Sequence, residues 1–265
     1  MAKILEQKCV GCRLCQKFCS VDAIKYNSET RKCFINTDEC VDCYVCMRKQ
    51  VCPRDAIAPD ESMDYYKQFC HVMSDPVENH GVTGVTGRGT EEVKTNDVSG
   101  RVRRGRVGFC IDVGRPGVGA RFYDVEKIAM AIAAAGVKLE GPETTPLAAL
   151  MKERDENGNL TGKLFLEERD ADGNITGDAA VRDHANDRLL SVIVEGNCAE
   201  EDLDNVMTAL KKVSTEIETV FSLGLIMRID EDCQNPALKC LDKLGIPRPH
   251  RAKINVGLGK PIAEE

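Results

Sequence analysis

The sequence has 265 residues, 42% hydrophobic and 30% charged, with a formal net charge of −7. That is enough chain for one large domain or two ordinary ones with a real core, and the net acidity excludes a basic nucleic-acid footprint for the chain as a whole. With no Trp and 5% aromatic residues, a base-stacking surface is disfavoured as well.

No window approaches the ~20 apolar residues of a membrane helix, and the longest apolar stretch runs only from Ile128 to Gly136. The opening segment, MAKILEQK, has no apolar run before the first cysteine, so the expectation is a cytoplasmic chain without a secretory signal. In a reducing compartment, fourteen cysteines point to metal ligation or redox chemistry rather than to disulfides.

Residues 1–60 hold nine of these cysteines and an internal repeat. Cys9-Val10-Gly11-Cys12-Arg13-Leu14-Cys15 returns as Cys40-Val41-Asp42-Cys43-Tyr44-Val45-Cys46, and Asp22-Ala23-Ile24 returns as Asp55-Ala56-Ile57. Such self-similarity means two copies of one small unit. Cys9-x2-Cys12-x2-Cys15-x3-Cys19 is the spacing of an iron–sulfur ligand run, in which three close thiolates wrap one corner of a cubane and the fourth comes from elsewhere. Cys40-x2-Cys43-x2-Cys46-x5-Cys52-Pro53 follows the same logic. Structural zinc wants two pairs of thiolates; two triplets, each with a trailing fourth cysteine, fit cubanes better.

Over residues ~5–58 the sequence resembles the two-cluster bacterial-type ferredoxins, where the fourth cysteine of each run serves the other cluster. The resemblance implies two [4Fe–4S] clusters, one held by Cys9, Cys12, Cys15 and Cys52, the other by Cys40, Cys43, Cys46 and Cys19. Ile24 and Ile57 would shield them from water. Two features depart from the family: Ser20 stands where Pro usually follows the fourth cysteine, and five residues rather than three separate Cys46 from Cys52. Cys33, in the apolar run Cys33-Phe34-Ile35, reads as a cluster shield, and Cys110 and Cys240 as small core hydrophobes. A third cluster on Cys70, Cys198, Cys233 and Cys240 is the weaker alternative to ordinary burial.

Residues 61–106 read as a Gly/Arg-rich connector that packs over other elements. His71 and His80 flank the turn Ser74-Asp75-Pro76 and read as surface-loop histidines. From Val107 the pattern becomes regular. A strand at 107–113 leads through a Gly-rich turn to a helix carrying Phe122, Val125, Ile128, Ala129 and Ile132, followed by Val137-Lys138-Leu139. Hairpin material surrounds Asn157-Gly158 and Asp172-Gly173-Asn174. A second strand, helix and strand follow at 189–194, 200–212 and 220–229, then a helix near 237–244 and a strand at 253–256. Two β-α-β units in succession predict an α+β fold: a ferredoxin-like, split βαβ sandwich over 107–265 that binds a partner or substrate, behind the dicluster module.

Gly114-Arg115-Pro116-Gly117-Val118-Gly119-Ala120-Arg121 joins a strand to a helix, where free amides and the positive helix end favour an anion. It matches neither G-x-G-x-x-G nor a P-loop. Arg88, Arg103, Arg104, Arg115, Arg121 and Lys260 are the candidates for contact with an anion or a partner, Arg121 being best placed in the first helical turn. Residues 87–97, 114–122 and the closing Asn255-Val256-Gly257-Leu258-Gly259 resemble the ferredoxin-dependent 6-hydroxynicotinate reductase family over most of residues 1–260, which implies reduction of a nitrogen heterocycle bearing a carboxylate. The sequence has no recognisable flavin motif, and clusters pass single electrons without activating a ring unaided. The first reading is therefore a ferredoxin-like subunit of an anaerobic multi-subunit reductase, partnered by a catalytic or electron-donor subunit. The second is a reductase that itself binds a small carboxylate ligand, and the third a cluster-containing ligand sensor without redox function. Neither nucleic acid nor membrane is expected as a partner.

Overall fold

A computed structural model describes residues 1–81, 102–115, 119–164, 184–228 and 235–247. In chain order the elements are β1 (Ala2–Ile4), β2 (Ile24–Asn27), β3 (Lys32–Ile35), α1 (Val45–Arg48), β4 (Ile57–Pro59), α2 (Tyr65–Ser74), β5 (Arg106–Val113) and β6 (Ala120–Arg121). There follow α3 (Phe122–Ala134), β7 (Lys138–Leu139), β8 (Arg188–Leu189), β9 (Val192–Ala199), α4 (Leu203–Val213), β10 (Phe221–Met227) and α5 (Pro236–Lys243). Among the described residues no helix is long and apolar enough to cross a membrane.

The two sequence repeats close on each other because β1 pairs antiparallel with β4, Ile4 opposite Ile57. A hairpin of β2 and β3 lies between them. Each cysteine triplet runs into a short helical turn, a 3₁₀ helix at Leu14–Phe18 in the first copy and α1 in the second. The core of this part consists of Cys15, Ile24 and Cys33, with Ile4, Tyr26, Ile35, Val51 and Ile57 around them. So few apolar side chains do not sustain a domain of this size unaided, and a metal centre is the usual supplement.

The larger core lies beneath a four-stranded antiparallel sheet in the order β10-β5-β9-β7. Since β5 and β7 both run antiparallel to β9, the β5-α3-β7 unit has parallel strands split by β9; β9-α4-β10 is likewise split by β5. Strand alternation sends Val107, Phe109, Ile111 and Val113 of β5 and Val192, Val194 and Cys198 of β9 into one core. Val125, Ile128, Ala129 and Ile132 of α3 and Leu203, Val206, Met207 and Leu210 of α4 complete it at helical spacing. The strand expected at 189–194 is divided between β8 and β9, and the helix expected from 200 opens with the 3₁₀ turn Glu200–Asp202. The hairpin at 172–174, the strand at 253–256, Arg88, Lys260 and Cys233 lie outside the described residues.

Inside the expected connector the structure places a helix. Asp64 caps α2, accepting from the Lys67 amide at 2.9 Å. Tyr66, Phe69, Cys70 and Met73, spaced i, i+3, i+4, i+7, bury into the main core, where Tyr66 and Phe69 meet Phe122. The segment is therefore irregular only in part, and α2 ties the cysteine-rich part to the sheet.

Candidate metal centres

The cysteine loops are shaped by left-handed residues at matching places in the two copies: Gly11 (φ 69°) and Asp42 (55°), Arg13 (62°) and Tyr44 (53°), Asp22 (53°) and Asp55 (46°). All positive-φ non-glycine residues among those described lie between Arg13 and Asp55. A side chain held there costs about 1–2 kcal/mol, so the repetition marks a backbone wrapped for a purpose. Alternation of right- and left-handed residues turns successive amides inward, the concavity that suits iron–sulfur sites. Ala23 N donates to Cys19 Sγ at 3.1 Å, and its counterpart Ala56 N to Cys52 Sγ at 3.3 Å. Cys33 N donates to Cys9 Sγ at 3.4 Å.

Cys9, Cys12, Cys15 and Cys52 line one pocket, walled by Ile4, Val10, Arg13, Ala56 and Ile57; Cys33 lines it too. Burial, reinforced by the neighbouring Cys33, pushes the Cys15 thiol up to about 12. On the other side, Cys43 and Cys46 lie within electrostatic range of Cys19, and Cys40 within range of both. Burial pushes Cys40 to about 12 and Cys46 to about 11, and raises Cys43. Without metal these thiols stay protonated, and binding must displace their protons. Ser20, in the place of the usual Pro, brings its hydroxyl within 3.9 Å of Cys43 Sγ.

Zn–S bonds of ~2.3 Å in a tetrahedron put thiolates about 3.8 Å apart. Among the described residues, no three of the cysteines gather within 4.8 Å of one another. A cubane, which gives each thiolate its own iron corner, does not require the sulfurs to meet so closely.

The 4Fe-4S binding domain family model matches residues 2–25. A ferredoxin of Streptomyces griseus is 41% identical over 79 residues, 27% of this chain and 71% of the relative. The chain belongs to the ferredoxin family. A ferredoxin of Rickettsia felis is 34% identical over 90 residues, 32% of this chain and 75% of the relative. Ferredoxin-1 of Caulobacter vibrioides is 44% identical over 62 residues, 23% of this chain and 51% of the relative. No solved structure matches the chain.

Helix α2 sits against the second cysteine loop of the ferredoxin part. His71, expected on a surface loop, is 8% exposed on this helix. Its Nδ1 lies 2.7 Å from the Asp42 carbonyl oxygen and its ring centroid 4.1 Å from that of Tyr44. Arg48 of α1 pairs with Asp75 and, at 3.6 Å, with Glu78. His71, Asp75 and Glu78 could together hold a cation, yet the Arg48 guanidinium already supplies positive charge there. Further along α2, Lys67 Nζ meets Asp187 Oδ1 at 2.7 Å, and His184 Nδ1 lies 2.8 Å from Asp187 Oδ2. Although burial opposes it, the hydrogen bonds from His184 and Lys67 hold Asp187 below the usual carboxylate range. His80 is half-buried, and burial holds it below the ordinary histidine value.

Arg121 donates to the Asn186 carbonyl at 2.7 Å. The first turn of α3 holds the buried Asp124, whose carboxylate faces the Glu218 amide at 3.2 Å and leaves little welcome for an anion. Arg103, Arg104 and Arg115 are exposed, while Arg106 holds Asn197 Oδ1 at 3.0 Å. Cys70, Cys198 and Cys240 are buried on α2, β9 and α5, and among the described residues no metal-sized group includes them.

Proposed function

We propose that this iron–sulfur electron-transfer protein carries two [4Fe–4S] clusters and serves as the ferredoxin-like subunit of an anaerobic multi-subunit reductase. Its ferredoxin-like α+β sandwich would dock the catalytic or electron-donor partner. One observation carries the cluster reading: Cys52, the fourth cysteine of the second run, lines the pocket of Cys9, Cys12 and Cys15, while Cys19, the fourth of the first, sits with Cys43 and Cys46. Each bound cluster supplies a one-electron couple. Ile4, Ile24 and Ile57 pack beside Cys9, Cys15 and Cys19, and the amides of Ala23, Cys33 and Ala56 favour the added negative charge of the reduced state. Cys15 and Cys19 belong to opposite sites but are only four residues apart, Cys15 in the 3₁₀ helix Leu14–Phe18 and Cys19 just past its end, which keeps the two centres close.

The second site faces α2 through Asp42 and Tyr44, which gives electrons a route toward the α+β part. A self-contained reduction of a ring carboxylate asks for a free arginine clamp, and Arg121 is engaged with Asn186, so the subunit reading is favoured over the 6-hydroxynicotinate reductase-like one. Exposed Arg103 and Arg104 suit an acidic partner edge. Anaerobic reductive titration of the full chain tests the reading: two electrons taken up per chain support it, and one or none overturns it. Arg103→Glu with Arg104→Glu should slow transfer to the native partner, most at low salt, without changing the cluster spectra. Unchanged rates would remove the docking assignment.

A further inference from the structure

The first site contains more sulfur than a cubane needs. Cys33, 5% exposed, shares the pocket of Cys9, Cys12, Cys15 and Cys52. Strand alternation on β3 puts Phe34 outward, 46% exposed, and sends Cys33 inward. The hairpin register, Tyr26 opposite Cys33 and Ile24 opposite Ile35, fixes that orientation. The backbone amide of Cys33 is spent on Cys9 Sγ at 3.4 Å, and its thiol lies within electrostatic range of Cys15. A passive shield would be served as well by Val or Ile; a thiol beside a ligand sulfur has further chemistry.

We propose that Cys33 is a reserve ligand of the first cluster site, an inference that rests on the two-cluster reading above. With the four ligands in place, the Cys33 S–H would have the Cys15 sulfur as its acceptor, because a thiolate bound to metal can accept but has no proton to give. Should Cys15 leave the metal, Cys33 would be the buried thiol of the same pocket at hand to replace it. The exchange is redox-neutral. The Cys33 S–H and Cys15 S–Fe bonds break, a Cys33 S–Fe bond forms, and the proton passes to the departing Cys15 thiolate.

The test uses the full chain purified without oxygen, as wild type, Cys33→Ala, Cys15→Ala and the double variant. Iron and acid-labile sulfide are measured per chain, together with the electron paramagnetic resonance spectrum of the reduced protein. Wild type and Cys33→Ala should each hold about eight iron, the second with a lower potential for one cluster because a donor to sulfur is gone. Cys15→Ala should also hold about eight, with an altered signal from one cluster, and the double variant about four. The four iron of the second site report that each variant has folded. Cys15→Ala falling to about four on its own, or the double variant matching Cys15→Ala, overturns the proposal. A wild type short of about eight overturns the two-cluster reading first, and the proposal with it.

Discussion

Gly11→Ala separates two costs that the repeat would otherwise confound. Gly11 has φ 69°, and its counterpart Asp42 has φ 55° with a side chain in place, so the left-handed conformation itself is tolerable at about 1–2 kcal/mol. The difference lies in the surroundings. A Cβ on Gly11 would stand 3.1 Å from the Arg31 carbonyl carbon and 3.3 Å from Tyr26 Cε2, with the Arg31 carbonyl oxygen nearer still. Arg31 is itself left-handed, φ 55°, in the turn between β2 and β3, and cannot retreat without disturbing the Asn27–Lys32 pairing. Overpacking of this kind adds about 1–3 kcal/mol, giving roughly 2–5 kcal/mol in total, a large share of the ~5–15 kcal/mol that holds an ordinary domain together. The loop carries Cys9 and Cys12, so the loss should fall on the first site. Iron per chain and the rate of bleaching of visible absorbance in urea, both without oxygen, should show Gly11→Ala losing up to half of its iron and bleaching at least ~10-fold faster. Asp42→Asn, which keeps the left-handed residue and its acceptor for the Ala2 amide, should stay close to wild type. Full iron and a wild-type bleaching rate in Gly11→Ala would refute the steric reasoning.

Other substitutions probe the link between the two parts and the main core. Ser191 Oγ is buried with no hydrogen-bond partner among the described residues, so Ser191→Ala should leave the thermal midpoint unchanged or raise it by the equivalent of up to ~1 kcal/mol; a clear drop would reveal a hidden partner. Lys67→Met leaves the Asp187 carboxylate with His184 alone and should cost about 2–4 kcal/mol in calorimetry, against almost nothing if the pair is solvated. Since the folded-state pKa of Asp187 is depressed, its contribution is complete above the unfolded value of about 3.9 and is lost as pH falls through the folded value. The midpoint of wild type should therefore fall more steeply below about pH 4 than that of Asp187→Asn, and parallel acid limbs would contradict the assignment. Ile128→Ala, at a fully buried position under the sheet, should cost about 2–5 kcal/mol without altering iron content, and loss of iron would mean that the two parts are not separable in this way.

The ferredoxin-type module was legible because iron–sulfur ligation writes itself into local cysteine spacing. The two triplets and their trailing cysteines are visible as spacing alone, and among the described residues the strands and helices from 106 to 243 followed from strong apolar periodicity, as with Val125, Ile128, Ala129 and Ile132. Helix α2 also left a signal, an Asp64 cap and apolar positions 66, 69, 70 and 73, but Lys67, Gln68 and His71 diluted it among polar neighbours. His71 could not be read as buried without that helix, since its partners Asp42 and Tyr44 come from the other side of the repeat. Cys33 reads from the sequence as a cluster shield, but its exact neighbours do not: only the fold of the β2–β3 hairpin brings this strand residue against Cys9. At Arg121, which reads as an anion clamp, the loop at 186 supplies a carbonyl that only the fold brings near.

The central claim is that the cysteines of residues 9–52 assemble two cubane sites, each completed by the fourth cysteine of the other run. Iron and inorganic sulfide analysis of the full chain, purified without oxygen, tests it most directly. About eight iron and eight sulfide per chain are expected. About four of each, or zinc in place of iron, would contradict it.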